Sequence, residues 1–261
     1  MTSSFSQFGV LWLSLVCADA PPSGNNNDLS GIITKAAQAM GIKDTKYTTK
    51  GFYLKSEGYA YLSDVKYTVI RDVYVSFSGR KRSQFTVVLE GRKEKSITVI
   101  DKDHGWLRDR NRLNEPFRTD DLSKGRLTQE TESLDLLSMV LFPSRLKDPA
   151  VKKTLLPPKD IKRKNAVAIG VSGLGFGSAT LFFDKSGGYL SGWEQRRRDD
   201  LLAEKQYNTI AGFLSERQKL GPLTIPTHEK VFYNGILVID WKWIELRTFE
   251  KELDPKLFEK P

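Results

Sequence analysis

The chain reads as a mainly β protein of the α+β class: a curled antiparallel sheet or half-open β-barrel of about ten strands, with an N-terminal helix and a mid-chain helical lid. Three observations predict this. Segments Tyr67–Phe77, Gln84–Glu90 and Lys95–Asp101 follow one another, and the second alternates Phe85, Val87 and Leu89 against Gln84 and Thr86. They are joined by Ser78-Gly79-Arg80-Lys81 and Gly91-Arg92-Lys93-Glu94, polar Gly-containing links of hairpin length. Near the C-terminus Asn234-Gly235, a strong hairpin signal, joins Thr227–Tyr233 to Ile236–Thr248. A single sheet this long must curl or close to protect its edges.

The other elements follow in order. Leu29–Met40 is read as a helix, with Asp28 as cap, Ile32, Ile33, Ala36, Ala37 and Met40 as apolar stripe and Gly41 as stop. Thr45–Leu62 is strand-like, interrupted by Gly51 and Gly58. In the third meander strand Ile97 and Val99 are placed on the core face. Alternation stops over Asn114–Pro158, where Thr131–Phe142 reads as a helix ended by Pro143 and Asp148–Leu156 as a further turn or two. Strands resume at Asn165–Ser172, Ser178–Asp184, Tyr189–Arg197 and Lys205–Arg217. In the last strand Leu237, Ile239, Trp241 and Trp243 share a face, and Phe249–Pro261 is a polar tail anchored by Leu257-Phe258.

The N-terminus is read as an export signal over residues 1–20. Phe8–Val16 is apolar but too short to span a bilayer, and Val16-Cys17-Ala18 suits cleavage after Ala18, although residues 1–10 carry no Lys or Arg. Val16 stands where a lipidation signal wants a small residue, so Cys17 is not read as lipidated. Residues 21–28 form a Pro-, Gly- and Asn-rich linker expected to be disordered, and 29–261 a single domain with its helical insert at about 115–158. Losing Cys17 with the leader leaves no cysteine for disulfides, thiol chemistry or metal. The 41 Lys and Arg against 32 Asp and Glu, a net charge of +9, favour anionic partners such as phospholipid headgroups; the signs are interspersed, which also fits plain solubility.

Catalytic and metal patterns are weak. Asp101-Lys102-Asp103-His104 beside Gly105 reads as a turn, and His228 as a surface strand residue. Gly173-x-Gly175-x-Gly177 is followed by a strand, where a phosphate loop needs a helix N-terminus, so it reads as a hairpin link. No nucleophile elbow, Walker loop, His-Glu-x-x-His or zinc spacing occurs, so neither catalytic residue, metal nor cofactor is expected. The basic clusters Arg80–Arg82, Arg92-Lys93, Lys162–Lys164 and Arg196–Arg198 sit mostly at turns and strand starts, without the aromatic interleaving of a nucleic-acid platform.

Several segments together carry a resemblance: an exported leader, a helix ending Ala37-Gln38-Ala39-Met40-Gly41, the run Asp72–Arg80, Asp103-His104-Gly105-Trp106, Leu181–Gly187 and the closing Leu257–Pro261. The chain resembles the outer-membrane lipoprotein-sorting (LolA/LolB-like) family over about residues 29–261, and especially its divergent exported members from Planctomycetes-like bacteria. The resemblance implies a half-open antiparallel barrel lidded by helices, whose interior holds the acyl chains of lipids or lipoproteins. Carried onto this chain, the lining would be Val73, Val75, Phe85, Val87, Leu89, Ile97, Val99, Leu181, Phe183, Ile239 and Trp241. The lid would be Leu134, Leu137, Met139, Val140 and Leu141. The expectation is therefore a non-enzymatic periplasmic or secreted lipid-binding protein, with an anionic membrane surface as a further partner and no nucleic acid. Core and pocket share the same residue preferences, so an envelope scaffold with a closed core stands beside it, contacting an acidic polymer or protein. An exported hydrolase with dispersed carboxylates is the third reading.

Overall fold

Thirteen strands form one antiparallel sheet in the computed structural model, which describes residues 26–42, 49–62, 65–89, 91–109, 116–157, 163, 165–173, 176–198 and 207–261. The strands are β1 (Gly51–Leu62), β2 (Val65–Ser76), β3 (Arg80–Leu89), β4 (Arg92–Asp101), β5 (His104–Asp109), β6 (Arg118–Asp121), β7 (Val151–Leu155), β8 (Ala166–Gly173), β9 (Phe176–Asp184), β10 (Leu190–Arg198), β11 (Tyr207–Leu220), β12 (Leu223–Tyr233) and β13 (Ile236–Phe249). Their spatial order is β6-β5-β4-β3-β2-β1-β13-β12-β11-β10-β9-β8-β7. The chain thus walks outward from β1 to the edge at β6. It then passes through helix α2 (Lys124–Leu141) and the short 3₁₀ helix η1 (Pro143–Lys147) to the opposite edge at β7, and walks back until β13 pairs with β1. The sheet stays open, with β6 and β7 as its edges.

The three strands beyond the expected ten are β5, β6 and β7. Arg118-Thr119-Asp120-Asp121 has no apolar residue from which to read alternation, and its polarity suits an edge. The further helical turns expected over Asp148–Leu156 are instead a bend and β7, where Val151 and Thr154 pair with Gly173 and Gly170 of β8. Strand β1 runs unbroken through Gly58.

Helix α1 (Asn26–Ala39) begins within the segment expected to be linker; the proposed leader at 1–20 lies outside the described residues. Leu29, Ile33, Ala36, Ala37 and Met40 recur at helical spacing and are buried. Gly41, at φ +84°, ends the helix in a Schellman motif: its N–H donates to the Gln38 carbonyl and the Ile42 N–H to that of Ala37, each at 2.9 Å.

Helix α2 starts seven residues before the expected Thr131, with the Ser123 hydroxyl accepting from the Arg126 N–H. Its first turns hid from periodicity because the side chain they bury is polar: among residues 124–130 it is Gln129, 1% exposed. Pro143 ends the helix as predicted. Both helices and η1 cover the same sheet face, α2 against β9 and α1 against η1 and β7. Between them lies the main core, which draws Phe52 and Leu54 from β1, Val73 from β2, Ile169 from β8, Leu181 from β9, Trp243 from β13 and Leu134 from α2.

The opposite face has its own apolar cluster. After β13 the chain folds back so that Leu253, Leu257 and Phe258, the last two within the 3₁₀ helix η2 (Pro255–Phe258), cover Tyr74, Ile97, Val99 and Trp106. Arg82 donates to the Leu257 carbonyl at 3.1 Å and Thr119 to the Pro261 carbonyl at 2.8 Å. The tail is therefore the cover of the outer face, held where the sequence placed its Leu257-Phe258 anchor.

Candidate functional site

Strand register decides which predicted lining residues meet. Val75 pairs with Phe52, Val73 with Leu54, and Val87 with Val69, which in turn opposes Gly58 and then Trp241. Leu181 lies opposite Ile169 and Trp193 on the other half of the sheet. Val73, Val75, Val87, Leu181, Phe183 and Trp241 all belong to the helix-covered core, with Phe85 and Ile239 half-buried against it. Of the residues expected in a lid, Leu134, Met139, Val140 and Leu141 are buried in the same cluster and Leu137 packs on its margin. The Leu89 side chain lies outside what the structure describes.

Ile97 and Val99 are a correction. They face outward, under the C-terminal segment, while Thr98 and Ile100 of the same strand face the helices. Both faces of β4 are buried, so choosing the face by the larger apolar residues picked the wrong one.

Polar groups punctuate the inner face. Glu229 on β12, 5% exposed, accepts from two indoles: Trp193 Nε1 at 2.9 Å and Trp241 Nε1 at 2.8 Å. Gly212 makes room for this, since a Cβ there would stand 2.2 Å from Trp193 Nε1. Arg71 lies 5.5 Å from the centre of the Trp241 ring and its Nε donates to Ser83 Oγ at 3.3 Å. Desolvation pushes its guanidinium below the ordinary arginine range, opposed by the charges of Glu130 and Glu229.

Nearby, Lys81 of β3 ties the sheet to α2. Its ammonium is 2.8 Å from Asp135 Oδ1 and 3.1 Å from the Thr131 carbonyl, with the lysine side chain 4% exposed. Burial pushes its pKa down and Asp135 opposes that shift. The Gln129 amide, also on α2, has both polar atoms buried without a hydrogen-bond partner among the described residues.

The cluster Arg80–Arg82 and, in another cluster, Arg163 have structural partners. In Arg80–Arg82 one cation pairs with Asp101, one is the buried Lys81, and one holds the tail. Arg163 stacks 4.4 Å from the Phe182 ring centre and 4.1 Å from that of Phe213, and donates to the Ser191 and Gly212 carbonyls. Their positions at turns and strand starts give no sign of these contacts, which the fold alone creates. His104 is exposed beside Asp103 in the β4–β5 turn, and His228 sits between Glu216 and Asp240 across β11, β12 and β13. No group of three or more His, Cys, Asp or Glu suited to a metal occurs among the described residues.

One cleft opens onto the core at the β7 edge. It encloses about 430 Å³ and is lined by Leu29, Ser30 and Ile33 of α1, Lys147 of η1, and Val151 and Lys153 of β7. Leu29, Ile33 and Val151 belong to the main core cluster, so the floor of the cleft is the outer margin of that packed layer. Among the described residues no helix is long and apolar enough to cross a membrane.

Against known proteins, no family model matches the chain and no curated protein matches it in sequence. Solved structures do match in fold. A LolA superfamily protein from Nitrosomonas europaea aligns with a TM-score of 0.54 at 9% identity, covering 88% of this chain and 97% of its own. A putative outer membrane lipoprotein-sorting protein domain from Vibrio parahaemolyticus aligns at 0.52 and 8% identity, covering 90% and 98%. A DUF1329 family protein from Desulfovibrio piger aligns at 0.50 and 11%, covering 88% and 96%. The chain therefore has the open-sheet architecture of LolA-like proteins, and at such identities the likeness is one of fold.

Proposed function

We propose that this protein is an exported, non-enzymatic carrier that holds the acyl chains of lipids or lipoproteins between its sheet and its helices. The observation that carries this reading is the apolar inner face under α1, η1 and α2, with a surface cleft of apolar floor at its β7 margin. The fold shared with a LolA superfamily protein and with a putative lipoprotein-sorting domain supports it. Val73, Val75, Phe85, Val87, Leu181, Phe183, Ile239 and Trp241 would contact the chain, with Leu134, Leu137, Met139, Val140 and Leu141 moving aside as the lid. Export from the cytoplasm belongs to the same proposal.

A second reading rests on a specific observation: Leu134 and Leu141 are already fully buried on the inner face. A core filled in this way suits an envelope scaffold whose basic loops contact an acidic polymer or protein. Native mass spectrometry of the full chain purified from an envelope fraction separates the two. A carrier brings an amphiphile that lipid extraction removes and that added phospholipid or acylated peptide restores. An unliganded mass that no lipid shifts overturns the carrier reading in favour of the scaffold.

A further inference from the structure

The cleft at the β7 edge joins two unlike surfaces. Its floor of Leu29, Ile33 and Val151, each at most 3% exposed, is part of the main core. It is also lined by Ser30, Lys147 and Lys153, and among the described residues no acidic one lines it. Neither lysine has a carboxylate partner among the described residues: Lys147 reaches only Thr34 Oγ1, at 3.4 Å, and Lys153 only the Val151 carbonyl, at 3.5 Å. Two cations with no carboxylate partner among the described residues, beside an apolar floor, match a ligand with one anionic end and one hydrocarbon end.

We infer that this cleft seats the anionic head, carboxylate or phosphate, of a long-chain amphiphile whose tail runs into the core layer between α1, η1 and the sheet. This rests on the carrier reading and names the ligand class and its orientation. An ammonium pair gives charge-assisted hydrogen bonds to an oxyanion, while a neutral ester of the same chain keeps only the apolar contacts. Lysines on an edge strand also discourage strand pairing. Lys152, exposed on the same strand but outside the cleft, shares that role and serves as the control.

The test is fluorescence titration of the full chain with cis-parinaric acid and, separately, its methyl ester. The expected result is acid binding about tenfold tighter than the ester, roughly what loss of a charge-assisted pair gives. That preference should vanish in Lys147→Gln/Lys153→Gln with ester affinity unchanged, and survive in Lys152→Gln and in Lys147→Arg/Lys153→Arg. Equal affinity for acid and ester in the unmutated chain, or a preference that persists in the double Gln variant, overturns the headgroup site and leaves the carrier reading standing. Displacement of the acid by inorganic phosphate alone, at matching concentration, overturns it in favour of a simple anion site. Failure of both probes to bind removes the site and the carrier reading together.

Discussion

At the scale of single residues, the most consequential side chain is Glu229. It satisfies two indole N–H groups within the buried inner layer, and from β12 it joins β13 on one side and, across β11, β10 on the other. Glu229→Ala leaves both donors unmet and a void behind, which costs on the order of 2–4 kcal/mol. Urea denaturation followed by tryptophan fluorescence checks this, and a loss below about 0.5 kcal/mol would sink the account of the clamp. Glu216 offers a test by pH. The hydrogen bond from Lys242 holds its carboxyl below the ordinary value of 4.5, with the charges of Lys242 and His228 acting in the same direction. A carboxyl depressed in the folded state contributes stability that is present above its unfolded pKa and lost as pH falls through its folded one. Glu216→Gln should therefore flatten the decline of Tm below about pH 4.5; an unchanged acid limb would contradict the assignment. Neither residue was legible in the sequence as more than a strand position, because the partners of Glu229 lie 36 and 12 residues away.

At the scale of elements, the C-terminal segment matters as much as any strand. It contributes Leu253, Leu257 and Phe258 to the outer cluster and ties back through Glu252, whose carboxylate accepts from Ser76 Oγ at 2.8 Å. Ending the chain after Glu250 strips this cover from Val99, Ile97 and Trp106. Stability should fall by about 3 kcal/mol, the scale of burying a few large apolar side chains less the cost of ordering them, and binding of a hydrophobic dye should rise. A truncated protein with unchanged Tm and no dye binding would show the tail to be dispensable. Helix α2 shows the limit of periodicity at this scale. Its last turns were legible because Leu134, Met139 and Leu141 are apolar, and its first turns were not because the residue they bury, Gln129, is polar.

At the scale of the whole molecule, one topological choice organises everything else. The chain begins and ends its sheet at the centre, where β1 meets β13, so each half is a simple up-and-down meander with local hairpins. The two outer edges are left to the short, charged β6 and to β7, which carries Lys152 and Lys153 and lies against α1. The connection between those edges must then pass over one face, and α2 with η1 covers that face by necessity of path. Lys81–Asp135 fastens α2 from within: its removal from water carries a large desolvation cost, so its contribution lies in where it holds the helix more than in how tightly.

By itself the sequence determined the mainly β class, the helix ahead of the sheet, the helix in the middle, the closing hairpin at Asn234-Gly235 and most members of the inner apolar face. Those signals are local: period-two alternation, a glycine stop, a proline break and a two-residue turn act over a few residues. The tertiary structure alone decided that β5, β6 and β7 join the sheet, that Ile97 and Val99 face out, that Lys81 and Arg163 are internal fasteners, and that Lys147 and Lys153 meet Leu29 at one cleft. Each of these depends on register or on a partner far along the chain, and a strand whose two faces are both buried carries no mark of which one looks inward.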